Sequence, residues 1–240
     1  MGLSIFVIKQ AIFFQQKASL PFFFKIITMN APNCFYDFLI LRIKNYISLN
    51  DREVVYVKGL FEEEHFKKNE VILNAGDVCR KLYFVAKGMV RFSQFTEAEE
   101  RTFAFRSEGD FCNDLESFIR KTPAEYNIIA LEPTSVFSIT YTNLQIFYNE
   151  LQFGERFGRI AIECVYTKLI NQLIAFYSET PQQRYTRFAR HHRKLLQRIP
   201  QHYVASYIGV TPQALCRIKK NMLNEEKVSP FATQVVSLAS

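Results

Sequence analysis

Cysteine is scarce and scattered: Cys34, Cys79, Cys112, Cys164 and Cys216 are the whole set, each more than 30 residues from the next. That spacing excludes a C-x-x-C zinc pair and a dense disulfide framework, and it points to reduced thiols in a cytoplasmic protein. Histidine is scarcer, with only His65, His191, His192 and His202. A cupin-like metalloenzyme needs about three histidines and a carboxylate converging on one ion. Only His65 falls near strand-forming sequence, which argues against that class. The His191-His192 pair could ligate a metal or, in a basic helix, face solvent or phosphate. No G-x-S-x-G, Walker loop or His-Glu-x-x-His occurs, so the expectation is a protein with no catalytic site, no cofactor and no metal. Long apolar runs are missing too. Met1 to Thr28 is rich in Phe and Ile, but Lys9, Lys17 and Lys25 cut it into uncharged runs of eight residues or fewer, against ~20 for a spanning helix. It also lacks the charged start and small-residue cleavage site of a secretory signal. Residues 1–28 therefore read as a poorly defined extension, with Met29 a candidate start, and no membrane partner is expected.

What the chain has is aromatic bulk and one-sided charge. Its 24 Phe and 12 Tyr within a 48% apolar, 22% charged composition argue for a folded globular protein rather than disorder. At 240 residues, and roughly 150 per domain, one large or two small domains are expected. The net charge is +7, yet Arg184 to Lys220 alone holds nine Lys or Arg and no Asp or Glu. The remainder is slightly acidic. A basic block on such a body is the footprint of a polyanion site, nucleic acid before membrane; the plainer reading is a solvated basic face.

Periodicity divides the chain in three. An amphipathic helix is expected over Tyr36 to Ile47. From Leu60 onward, Asn69 to Leu73, Leu82 to Ala86, Met89 to Phe95, Thr102 to Phe105, Tyr126 to Leu131 and Thr134 to Ile139 read as short strands. Turn signals at Asn74-Ala75-Gly76-Asp77, Lys87-Gly88 and Glu108-Gly109-Asp110 separate them, the pattern of a small sandwich or barrel. Thr142 or Asn143 can cap a helix into Leu144, and Glu155 to Ser178 reads as one long helix. On it Ile162, Leu169 and Phe176 stand seven apart, with Val165 and Leu173 on the same side. That stripe suits a homodimer seam, or packing against the chain's own β domain. Thr180-Pro181 ends the helix, Arg184 to Arg198 forms one further element, Pro200 opens the next and Gly209 closes it.

Within Pro200 to Lys220, Ala205, Gly209 and Leu215 have the spacing of a helix-turn-helix: a small residue where helices cross, a turn glycine and an apolar anchor. Thr211 caps the second helix and Pro212 occupies its first turn. At 100° per residue Leu215, Ile218 and Met222 share one face, and Gln213, Arg217 and Lys220 the opposite one. Arg suits guanine, Gln suits adenine and a terminal Lys suits phosphate. The expected partner is double-stranded DNA.

Asn74-Ala75-Gly76-Asp77, then Leu82-Tyr83-Phe84-Val85-x-x-Gly88-x-Val90, then Gly109-Asp110-Phe111 resemble the cyclic-nucleotide-binding β-roll. With the long helix and Ile199-Pro200 to Arg217-Ile218 following in order, the chain is similar to Crp–Fnr transcription regulators from Leu60 to about Leu223. The resemblance implies an α+β fold. A β-roll sensor (a double-stranded β-helix) with flanking helices would span 29–152, a dimerisation helix 153–179, and a helix-turn-helix of winged-helix type 180–240. The 20 residues after Lys220 leave room for a short wing or none. It also implies a homodimer, a small-molecule effector and contact with the transcription machinery. Family members that bind cyclic nucleotides carry Gly-Glu after the Gly-Asp-Phe segment and an Arg-Ser or Arg-Thr pair further on. Here Asn113, Asp114, Tyr126 and Asn127 stand there, which implies a remodelled effector pocket, because a buried phosphate without a cationic partner costs several kcal/mol. Redox members hold an iron–sulfur centre on clustered N-terminal cysteines, and Cys34 alone cannot supply four thiolates. The alternative is a β-roll sensor acting on a protein partner without DNA.

Overall fold

Eight antiparallel strands and eight helices make up the described part of the chain. The structure, a computed structural model, describes residues 33–228 except 98 and 194. Expectations for residues 1–28, for the side chain of Cys34 and for a wing beyond Val228 lie outside the described residues. Of the described residues, 38–228 belong to one compact unit.

Helix α1 spans Asn33–Lys44, three residues earlier at each end than the sequence suggests, with Tyr46 and Ile47 in the turn after it. Helix α2, Asp51–Leu60, was not expected. Asn50 and Glu53 close a reciprocal capping box at its start, a signature present in the sequence as Asn50-x-x-Glu53. Strands follow as β1 (Glu62–Phe66), β2 (Val71–Leu73), β3 (Lys81–Lys87), β4 (Met89–Phe95), β5 (Glu100–Ser107) and β6 (Phe111–Cys112). Then come α3 (Leu115–Arg120), β7 (Asn127–Ala130) and β8 (Thr134–Thr140). Two strands escaped sequence reading: β1 because Glu-Glu-Glu-His has weak strand propensity, β6 because it is two residues long. Asn69 is no strand residue, since its φ of 66° places it in a left-handed turn.

The strands form two sheets, β1-β8-β3-β6 and β2-β7-β4-β5. Register in the second pairs Phe92 with Ala104 but Ser93 with Thr102, so Phe103 is an extra residue at a bulge. Phe84, Val85, Val90, Ile128, Val136 and Phe137 are fully buried between the sheets and the helices that cover them. The tight β3–β4 turn requires Gly88. Its φ is +99°, and a Cβ there would lie 2.5 Å from the Thr134 hydroxyl and 2.8 Å from the Pro133 carbonyl oxygen.

Beyond the roll, α4 spans Tyr141–Glu150 and is capped by Thr140 rather than by Thr142 or Asn143. The long helix α5 covers Gly154–Ser178. Helix α6, Pro181–His191, starts on a Thr180–Gln183 capping box and stops at His192, so the single element expected over Arg184 to Arg198 is a helix followed by turns. Helices α7 (Gln201–Ile208) and α8 (Pro212–Val228) close the described chain. Met89, Phe105 and Leu131 of the roll share one apolar cluster with Tyr185, Phe188, Leu196, Val204, Ile208 and Leu215 of α6–α8. The C-terminal helices thus cover one face of the β2-β7-β4-β5 sheet. The result is the α+β β-roll, long helix and C-terminal helical region expected from the sequence.

Candidate functional site

Helices α7 and α8 meet at Gly209–Thr211 and carry the residues that the spacing singles out. Ala205 is fully buried where the helices cross and Leu215 anchors α8. Gly209 ends α7 in the left-handed conformation (φ 75°), its N–H returning to the Ala205 and Ser206 carbonyls. The Thr211 hydroxyl accepts the Ala214 N–H at 3.2 Å, so Thr211 caps α8. Ile218 and Met222 pack on the apolar cluster beside Leu215. Thr211, Gln213, Arg217 and Lys220 are exposed on the other side, together with Cys216 and Asn221. A face of uncommitted amide and guanidinium donors on a rigid, capped helix can hydrogen-bond base edges, and its cation can meet phosphate.

The basic block does not all face outward. Arg184 donates through Nε to the Ile208 carbonyl at 2.9 Å and through Nη1 to the Glu179 carbonyl at 2.8 Å, and its guanidinium lies over the Phe176 ring. Arg187 pairs with Glu179 at 3.0 Å. Arg198 pairs with both Glu108 and Glu132 of the roll. These hydrogen bonds raise the pKa of Arg198 above its ordinary value despite partial burial. Arg190, Arg193, Arg217 and Lys220 remain exposed. His192 corrects the solvent- or phosphate-facing reading of the histidine pair. Its ring lies 4.8 Å from Phe188, and burial, with His191 nearby, depresses its pKa to about 4. Among the described residues no group of three or more His, Cys, Asp or Glu could hold a metal ion.

At the positions aligned with the effector pocket, the side chains are engaged in the fold. Asp114 caps α3 by accepting the Ser117 N–H and also accepts from the Glu125 N–H. Tyr126 donates its hydroxyl to the Asn113 carbonyl at 3.3 Å, and Asn127 accepts the Ala75 N–H at 2.8 Å in the Asn74–Asp77 turn. The Tyr126 ring closes a triangle with Phe92 and Phe103, centroids 5.0 to 5.8 Å apart. Burial raises the Tyr126 hydroxyl pKa further above its ordinary value. A cation does sit nearby, since Arg106 lies over Phe92 at 5.5 Å; strand alternation from β4–β5 could have found it, whereas the family alignment does not point there. Cavities of about 360 Å³, beside Arg198, Pro200 and Lys219, and about 270 Å³, beside Glu64, Asp77 and Arg80, lie outside this aromatic triangle.

On α5, Phe157, Ile160 and Ala175 are buried, whereas Ile162, Val165, Leu169 and Leu173 are exposed, Leu169 at 52%. Most of the stripe therefore does not pack on the chain's own β domain. Phe176, the last of the series, is turned toward Arg184 and the Gly209 turn. No described helix is long and apolar enough to cross a membrane.

Residues 63–150 match the family described as cyclic nucleotide-binding domain. No curated protein matches the chain. Among solved structures it is similar to FixK2 from Bradyrhizobium japonicum, at 16% identity and a TM-score of 0.58, over 69% of this chain and 85% of that one. Similar too, at 16% and 0.58, is the c-di-GMP responsive global regulator CLP of Xanthomonas campestris, over 73% of this chain and 93% of that one. A protein from Eubacterium rectale described as a Crp/Fnr-family regulator gives 16% and 0.58 over 75% and 88%. At such identity the likeness establishes the fold alone: a cyclic nucleotide-binding β-roll followed by a long helix and a C-terminal helical region, as in these similar structures.

Proposed function

We propose that the protein is a homodimeric, DNA-binding transcription regulator of the Crp–Fnr type, with no enzymatic activity, acting in the cytoplasm. The carrying observation is the α7–α8 helix pair. It buries Ala205 and Leu215 while leaving Gln213, Arg217 and Lys220 exposed on one face of α8. In this reading residues 29–152 sense, 153–179 dimerise and 180–240 bind DNA. The exposed apolar face of α5 supports the dimer, because a stripe of that size in water favours a second copy. Two heads related by a two-fold axis would read half-sites about one helical turn apart. The effector is a small molecule other than cyclic AMP, since Asn113, Asp114, Tyr126 and Asn127 supply no cation and the nearby Arg106 is held over Phe92 and donates to the Phe105 carbonyl. Contacts with the transcription machinery follow from the same role.

Selection of bound sequences from a random duplex pool tests this directly. An enriched pseudo-palindrome is the expected outcome. Binding that ignores sequence, or no binding at low salt, would refute it and favour a sensor module acting on a protein partner.

A further inference from the structure

We propose that the cavity at the start of α7 is a binding site for a small phosphate-bearing molecule, formed within the C-terminal helices and separate from both the roll interior and the outer face of α8. The proposal goes beyond the DNA-binding reading and does not depend on it.

The cavity holds about 360 Å³, within the range that small ligands occupy. Tyr185 of α6, the turns from Leu196 to Pro200, Gln201 of α7 and Lys219 of α8 line it. Two of these residues, Arg198 and Lys219, are cations, and none is a carboxylate. Pro200 stands at the N-cap of α7 and has no side chain that could cap it. Tyr203 and Val204 return their N–H groups to the Pro200 carbonyl. The N–H groups of Gln201 and His202 are therefore open at the helix start, where the backbone dipoles favour an anion.

A helix start alone would hold little, and the second observation is Tyr185. This residue is 5% exposed and lines the cavity. Its hydroxyl makes no hydrogen bond within the protein yet is not sealed from solvent, so it is available to an occupant. Burial raises its pKa, which keeps it a neutral donor. A hydroxyl held so deep without a partner is costly unless something polar meets it. The Lys219 ammonium has as its partner only the neutral Gln201 amide oxygen, at 3.4 Å, so its charge is uncompensated. Arg198 contributes less, because Glu108 and Glu132 already pair with it.

Backbone N–H groups, an ammonium and a phenol hydroxyl thus border one space from three helices. A tetrahedral phosphate presents oxygens in several directions and suits such a set better than a planar carboxylate. Leu196 and Ile199, both buried, give an apolar wall for the carbon part of the molecule. The cavity is also turned away from the proposed DNA face. At about 100° per residue, Lys219 stands about 100° from Lys220, about 120° from Gln213 and about 160° from Arg217. It is half-buried where those three are exposed. That placement favours a free small molecule over a phosphate of the duplex backbone. An occupant would tie α6, α7 and α8 together, and a ligand that binds only the folded arrangement stabilises it.

The test uses the full chain with inorganic phosphate, and then glycerol phosphate, in place of chloride at constant ionic strength. It reads backbone hydrogen exchange by mass spectrometry. The expected result is slowed exchange over 199–208 that saturates with either probe, while 81–87 and 134–140 are unchanged. Lys219→Gln removes a charge-assisted contact and should raise the dissociation constant about tenfold or more, and Tyr185→Phe, which keeps the ring, about fivefold. Arg193→Gln removes an exposed cation that does not line the cavity and should leave the constant unchanged. Absence of saturable protection with both probes overturns the site. So does protection that all three variants weaken alike, or that Tyr185→Phe leaves intact, since either would reduce it to a surface charge effect. Protection by a duplex oligonucleotide but by neither free phosphate, lost in Lys219→Gln and Tyr185→Phe, would make the cavity a backbone contact and overturn the small-molecule assignment.

Discussion

His192 should make the head sensitive to mild acid. The neutral ring is packed against Phe188 at 4.8 Å and near Tyr207 at 6.4 Å. Burial is the main cause of its depressed pKa of about 4; His191, Arg106 and Lys168 act in the same direction and Asp110 against it. The unfolded chain binds the proton at about 6.5 while the folded chain resists it, so stability is fully present above about pH 6.5 and is lost as pH falls toward 4. Between about pH 7.5 and pH 5, linkage with these two values gives a loss of about 2 kcal/mol. Glu100 and Glu108 also have lowered pKa values, but their stabilising ionisation is lost only as pH drops through and below the ordinary carboxylate range, mostly beneath pH 5. His192→Phe keeps a flat ring between the same neighbours and removes the titration. Urea midpoints for wild type and variant at the two pH values isolate the effect. Wild type should lose about 2 kcal/mol more than His192→Phe, and equal losses in the two proteins would refute the burial argument.

Leu169→Glu sets charges against each other at the proposed seam and should yield monomer, whereas sedimentation of wild type as a monomer at micromolar concentration would remove the seam. Cyclic AMP should not bind tightly, because Arg106, the cation beside the pocket, is engaged with Phe92 and the Phe105 carbonyl, and a phosphate left without a cation loses at least ~2 kcal/mol, more than tenfold in affinity; micromolar binding by calorimetry would count against the remodelled pocket. Arg217→Ala should cost ~1–3 kcal/mol on the selected site and flatten preference at one base pair per half-site. Uniform weakening across sequences would reduce Arg217 to a phosphate contact. Gly88→Ala combines positive-φ strain with overlap on Thr134 and Pro133 and should destabilise the roll by about 3 kcal/mol in chemical denaturation.

The turns were the most legible part of the fold, because Gly76, Gly88, Gly109 and Gly209 all adopt positive φ, a geometry few residues other than glycine tolerate. Strands β3, β4 and β8 followed from branched and aromatic runs. What escaped depends on pairing rather than propensity: β1 is a strand only because β8 presents its edge to Glu62–Phe66. Asp114 was legible as a family position but not as the cap of α3, since its partner, the Ser117 N–H, is a backbone group that any sequence supplies. The exposed face of α8 could be read from a 100° wheel. The inward turn of Arg184, Arg187 and Arg198 could not, because their partners lie up to 90 residues away along the chain.

Two other long-range hydrogen bonds meet on a short piece of strand. Thr102 bonds the head and Phe103, the bulged residue beside it, bonds α5. A bulge redirects a side chain and loosens the ladder locally, and the Phe103 ring packs against Phe92 and Tyr126 at the roll interior. Any ligand that displaced this triangle would therefore act on both the long helix and the head through neighbouring peptide units. A ligand shifts a two-state equilibrium only by its differential affinity for the two states, and here that difference would arise where Phe103 must move. Residues 102 and 103 are accordingly a short segment that touches the roll interior, α5 and α7 together.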